Sequence, residues 1–140
     1  MSESVGLIAI AVTRDEARIW DAGFDKGTKP TTMRAPNEMQ RHHHIREAQH
    51  HHGHDTEHAD IAFFEGLADA TADSREIILV GHGTGKANAM LRMVQYWERK
   101  RPEAAAKVIG AVDSNLDAMS DAAVLGLVRE WWDEHREFVE

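Results

Sequence analysis

Residues 75–87 read REIILVGHGTGKA, and this stretch decides the class of fold. REIILVG (75–81) is a continuous run of apolar and β-branched side chains at strand length, as expected of a strand buried on both faces. HGTG then turns the chain sharply. Beyond it Met90, Met93, Val94 and Trp97 recur at three- and four-residue spacing, which predicts a helix near 86–100. Strand, tight turn and helix together make the β-α unit from which parallel sheets are built.

The pattern continues in both directions. Downstream, Pro102 interrupts, KVIGAVD (107–113) reads as another short strand and SNLDAMS as a loop. Ser120 is placed to cap a last helix over 121–137, whose Val124, Leu125, Val128 and Trp132 face inward. Upstream, Ile61, Phe64, Leu67 and Ala68 mark one face of a helix beginning near Thr56. VGLIAIAV (5–12) is a second buried strand, TRDE a polar turn and ARIWDAGF (17–24) its antiparallel partner. After the turn DKGTK, PTTMRAP (30–36) forms a third short strand that Pro36 stops. The order is β-β-β-loop-α-β-α-β-α. It implies an α/β fold, one mixed sheet in which an antiparallel meander precedes β-α-β-α units, spanning 1–140 as a single domain.

Composition narrows the function classes. The 140 residues suffice for one packed core. No run approaches the roughly 20 apolar residues needed to span a bilayer, and the absence of cysteine excludes disulfides and thiolate metal sites. A cytoplasmic location is the default expectation. A net charge of −8 argues against broad nucleic-acid binding. The stretch from Lys86 to Lys107 is nevertheless locally basic, with Lys86, Arg92, Arg99, Lys100, Arg101 and Lys107 against Glu98 and Glu103.

Four features invite chemistry, and each has a plainer reading. A phosphate-binding loop needs glycine six residues before its lysine and a hydroxyl after it; here Val80 and Ala87 hold those positions. The glycines of HGTG then serve a strand-to-helix turn. Asp113, Asp117 and Asp121 follow a strand, where carboxylates would hold Mg²⁺, but Asp, Asn and Ser are also ordinary turn and capping residues. Trp20, Trp97, Trp131 and Trp132 are candidate base-stacking platforms. Trp97 and Trp132 fit core stripes, while Trp131 falls off its stripe.

The fourth feature is RHHHIREAQHHHGHDTEH (41–58), which holds eight of the ten histidines within a loop at about 36–58. A purification tag would sit at a terminus as one block; this segment is internal and interrupted. If the following helix starts early, His50, His54 and His58 stack at four-residue spacing and would bind Zn²⁺ or Ni²⁺. HDTEH lacks the glutamate that defines a zinc-protease helix. The alternative is a solvated or RNA-facing loop that requires no cofactor.

Three phrases, AIAVTRDEARIW, IILVGHGTGK and KVIGAVDSNLDAMSDAAVLGLVREWW, occur in the order and at spacings similar to those of a known domain. Together they resemble the central domain of the eukaryotic and archaeal class I release factor, which Pelota and small bacterial "translational machinery" proteins share. The resemblance covers most of residues 5–132. It implies an RNase H-like mixed sheet whose loop between the third strand and first helix enters the ribosomal peptidyl-transferase centre. In the release factor that loop carries Gly-Gly-Gln and assists hydrolysis of peptidyl-tRNA. Here Gln49 lies about where that glutamine would be, preceded by Glu47 and Ala48, which resist backbone conformations open to glycine. Pelota lacks Gly-Gly-Gln and acts in ribosome rescue.

The resemblance thus implies a ribosome-associated protein of rescue, hibernation or another stress response. Its RNA contacts would come from His42, His43, His44, His50, His51 and His52, supported by Lys86, Arg92, Arg99, Lys100 and Arg101. A protein partner would supply the missing release-factor domains. The rival expectations are peptidyl-tRNA hydrolysis through Gln49 and a metal-binding module at His50, His54 and His58.

Overall fold

The computed structural model describes residues 6–35, 54–83 and 88–139. Five strands form one mixed sheet in the order β3-β2-β1-β4-β5. β1 (Leu7–Val12) is central and buried along its whole length, which accounts for its unbroken apolar run. On one side it pairs antiparallel with β2 (Glu16–Trp20), Ile10 opposite Ile19, and β2 pairs antiparallel with β3 (Thr31–Arg34). On the other it runs parallel to β4 (Glu76–Gly81), with Ala9 opposite Ile78. β4 is in turn parallel to β5 (Val108–Asp113). The meander and the parallel unit expected from the sequence therefore meet at β1.

The β1–β2 turn is fixed by Thr13, whose hydroxyl accepts from the Asp15 and Glu16 N–H groups at 3.3 and 3.2 Å. β2 stops at Trp20, short of the expected Phe24. Gly23 and Gly27 take positive φ there, and the Trp20 indole donates to the Thr28 carbonyl at 3.2 Å.

Helices cover both faces. α1 (His54–Ala70) begins two residues before the expected Thr56, and α2 (Ala89–Lys100) three residues after the expected start at Lys86. Both lie on the face carrying Ile8, Ile10, Val12, Ile77 and Leu79, with the short α3 (Pro102–Ala105) beside them. Phe63, Phe64, Leu67, Met93 and Trp97 fill that layer. Phe63, not assigned to the helix stripe from sequence, is buried, whereas Ile61 is half-buried. The opposite face, with Leu7, Ala9, Ala11, Ile78 and Val80, is covered by α4 (Asp121–Val139) through Val124, Leu125 and Val128. A 3₁₀ turn, Leu116–Ala118, lies within the expected loop and buries Leu116.

Trp131 is half-buried, and its ring lies so close over Gly110 of β5 that a Cβ there would overlap it. His135 stacks on the same indole at 4.2 Å. Glycine at 110 is thus required by the approach of α4. Among the described residues, no helix is long and apolar enough to cross a membrane.

Candidate functional site

From β1 the chain turns to β2 on one side, and from β4 it continues through α2 to β5 on the other. In open α/β sheets such a divergence, at the carboxyl ends of strands, is where ligands commonly bind. The stretch that decides the fold ends here. Asn88, fully buried at 0% exposure, joins three elements. Its Oδ1 accepts from the Leu91 N–H at 3.3 Å and caps α2. Its Nδ2 donates to Asp113 Oδ1 at 2.6 Å and to the Gly83 carbonyl at 3.2 Å. A Cβ on Gly81 would lie 2.7 Å from Asn88 Oδ1 and 2.8 Å from Met90 Cβ. Gly83 takes φ +95°. Gly81 and Gly83 thus serve close packing and a left-handed backbone, while Thr84 and Gly85 lie outside the described residues.

The three aspartates have three different partners. Asp113 takes the Asn88 amide, Asp117 lies 3.3 Å from His82 Nε2, and Asp121 pairs with Arg18 at 3.0 Å. The same guanidinium donates to the Met119 and Leu116 carbonyls, tying β2 to the loop before α4. Among the described residues, no group of three His, Asp or Glu side chains is placed to hold a metal ion. The acids act here as turn and anchoring groups.

His82, directly after β4, is the chemically distinctive residue at this end of the sheet. Its Nε2 faces Asp117, and its buried Nδ1 has no hydrogen-bond partner among the described residues. An imidazole oriented by a carboxylate can take or give a proton. The Ser114 hydroxyl is turned onto Met119 Sδ at 3.1 Å. Sequence reading passed over His82; its place immediately after a buried strand was the available signal.

The basic stretch divides on folding. Arg101 bonds Glu65 at 2.5 Å, Asp69 at 3.1 Å and Glu103 at 2.6 Å, fastening the end of α2 to α1. The Tyr96 hydroxyl donates to the other oxygen of Glu65 at 2.5 Å. The Tyr96 hydrogen bond, then Arg101, hold the Glu65 carboxyl below its ordinary range; Glu65 in return pushes the Tyr96 hydroxyl up. Arg92 lies 3.4 Å from Asp60 of α1. Lys107 donates to the Thr71 and Ala72 carbonyls at the end of α1. Arg99 and Lys100 are exposed in the last turn of α2. Glu65 and Asp69, one helical turn apart, were the sequence signal for a cation between the helices.

Lys86, Gln49, His42, His43, His44, His50, His51 and His52 lie outside the described residues. His54 and His58 fall one turn apart in the α1 backbone, because the helix starts early.

No family model matches the chain, and no curated protein matches it. Among solved structures, the crystal structure of Pelota from Archaeoglobus fulgidus aligns with 95% of this chain at 14% sequence identity and a TM-score of 0.49. The match covers 36% of that protein, so the present chain spans about a third of its length.

Proposed function

We propose that this chain is a ribosome-associated module, acting in rescue, hibernation or another stress response, that offers its histidine-rich stretch to an RNA-lined site. One observation carries the reading: residues 36–53 fall between the end of β3 and the start of α1. In the release-factor family that interval holds the catalytic tip. The three resembling phrases fall on the β1–β2 hairpin, on β4 with its turn, and on β5 through α4. These are the sheet and the helix on which such a tip would be mounted.

His42, His43, His44, His50, His51 and His52 would contact phosphate or bases, gaining charge as pH falls below about 6.5. Arg99 and Lys100 are the exposed supporting cations, with Lys86 as a third contact. Arg92 and Arg101 would contribute less, since both face carboxylates of α1. Co-sedimentation with ribosomes tests the reading. Binding is expected at low salt, declining as salt rises, and weaker when the six histidines are replaced by alanine. A chain that stays in the supernatant at low salt, from growing and stressed cells alike, overturns it.

Two narrower readings have their own tests. Peptidyl-tRNA hydrolysis would depend on Gln49, so release of labelled peptide from stalled ribosomes should vanish in Gln49→Ala. Release that persists unchanged excludes that mechanism. A Zn²⁺ or Ni²⁺ site is favoured by the helical spacing of His54 and His58, with His50 as a third ligand. Stoichiometric uptake in calorimetry, abolished by His54→Ala, is the expected result. Only weak, non-stoichiometric uptake removes its support.

A further inference from the structure

Between α4 and the turn that precedes β3 lies an open cavity of about 550 Å³, within the size range of small-molecule sites. One wall is a fixed turn. The Thr28 N–H and hydroxyl both donate to the Asp25 carbonyl, at 3.0 and 2.6 Å, and Gly27 takes φ +90°. Phe24 packs into the apolar layer under α4, which seats the turn and holds Lys26 and Gly27 at the rim. The floor is α4 itself, where Leu125 is buried and Ala122 and Gly126 are exposed. Gly126 is the unexpected residue. A glycine inside a helix weakens it relative to alanine. Its backbone is helical, and a Cβ there would meet nothing within 4 Å, so packing within the described chain does not call for glycine. What it does is leave the helix backbone bare where the cavity meets α4.

Charge divides the cavity. At about 100° per residue around the helix axis, Arg129 lies on the Leu125 flank of Gly126, and Glu130 and Glu134 lie on the opposite flank. Lys26 adds a second cation from the turn. Among the described residues, none of these four charged side chains is held in an ion pair or a hydrogen bond. The apolar part, Ala122 to Gly126, precedes the charged part by about one helical turn. A simple anion would meet the acids here, and a simple cation the bases. We infer that the cavity binds a large apolar α-amino acid as its zwitterion. The carboxylate faces Lys26 and Arg129, the ammonium faces Glu130 and Glu134, and the side chain covers Leu125 and the bare backbone at Gly126. Three contacts that do not share a line also tell one enantiomer from the other. Each exposed charge contributes little by itself, so both charges and the apolar contact are needed together.

Amide shifts of the full chain in proton–nitrogen correlation spectra are the test. L-Leucine should give saturable shifts at Gly27, Gly126 and Glu130, with half-saturation between about 0.1 and 10 mM. Isocaproate, which lacks the ammonium, and isoamylamine, which lacks the carboxylate, should each bind roughly tenfold more weakly. D-Leucine should also bind more weakly than L-leucine. Gly126→Ala has a double signature. Its thermal midpoint should rise, because an alanine replaces a glycine within a helix, while half-saturation by L-leucine should move up at least about threefold. Lys26→Gln combined with Arg129→Gln should bring L-leucine down to the level of isoamylamine. The absence of saturable shifts up to about 50 mM L-leucine, or an equal response to L-leucine, isocaproate and isoamylamine, overturns the proposal. Binding of L-leucine that is unchanged in Gly126→Ala overturns its placement on α4.

Discussion

The two faces of the sheet bury similar residues but are closed in different ways. Each holds a tryptophan at 0% exposure, and each indole N–H reaches a backbone carbonyl, Trp97 to Phe64 at 3.0 Å and Trp20 to Thr28 at 3.2 Å. On the first face α1 and α2 pack together under a polar clasp of Glu65, Tyr96 and Arg101. On the second, among the described residues, α4 is the one long helix, held by its apolar stripe, by the Arg18–Asp121 pair and by the seating of Trp131 on Gly110. The first face is the thicker core with a charged fastening; the second depends on one helix meeting the sheet closely.

The largest expected effect tests which face carries more of the stability. Trp97→Ala should cost about 3–5 kcal/mol, by loss of buried area and of packing around the cavity. Trp132→Ala on the second face, from a half-buried position, should cost roughly 1–2 kcal/mol in proportion to the smaller area removed. Urea denaturation measures both, and equal losses would erase the distinction. Next, Gly110→Ala should cost about 1–3 kcal/mol because the added methyl overlaps Trp131. Combining it with Trp131→Ala should recover part of that cost, and simple additivity would mean that the helix does not rest on this glycine.

Asn88→Ala should cost about 1–2 kcal/mol through loss of the α2 cap, and Asp113 would lose its amide partner. Thermal unfolding gives the value, while hydrogen exchange should place the loosening at the start of α2 and not in α4. The smallest effect is a pH dependence confined to the first face. Because folding lowers the Glu65 pKa, its contribution is complete above the ordinary carboxylate value of 4.5 and is lost as pH falls below it. Exchange followed between about pH 5 and 3 should loosen α1 against α2 before α4, and Arg101→Ala should weaken that dependence. Equal loosening of both faces would locate the acid sensitivity elsewhere.

Much of this was legible in the sequence, for specific reasons. Strands buried on both faces announce themselves by unbroken apolar runs, so LIAIAV and EIILVG were readable without partners. Alternating strands and helices in the second half implied the parallel pairing of β4 and β5. Boundaries were less readable. The start of α2 depends on Asn88 acting as a cap, and that role is set by Gly81 and Asp113 as much as by its neighbours. The seating of Trp131 was hidden because it lies off the main stripe of its helix, and only the missing side chain at Gly110 makes room for it. The basic run from 86 to 107 read as a surface for phosphate. Arg101 instead finds Glu65 and Asp69 more than thirty residues earlier in the chain, a pairing that nothing in the residues around Arg101 reveals. At the candidate site, Asp113, Asp117 and Asp121 were visible as a cluster, but their separate partners appear only once the strands are aligned.

The central position of β1 has a consequence for how the chain is made. Its antiparallel partner β2 follows after a turn of three residues, and the hairpin can close almost as soon as it emerges from the exit tunnel. Its parallel partner β4 comes only after the meander, the histidine-rich stretch and α1 have been synthesised. At roughly 5–20 residues per second that wait lasts for seconds. During it one long edge of the most apolar strand in the protein is uncovered. The nascent chain therefore meets its greatest risk of aggregation, and its greatest use for a chaperone, before the parallel half of the sheet exists.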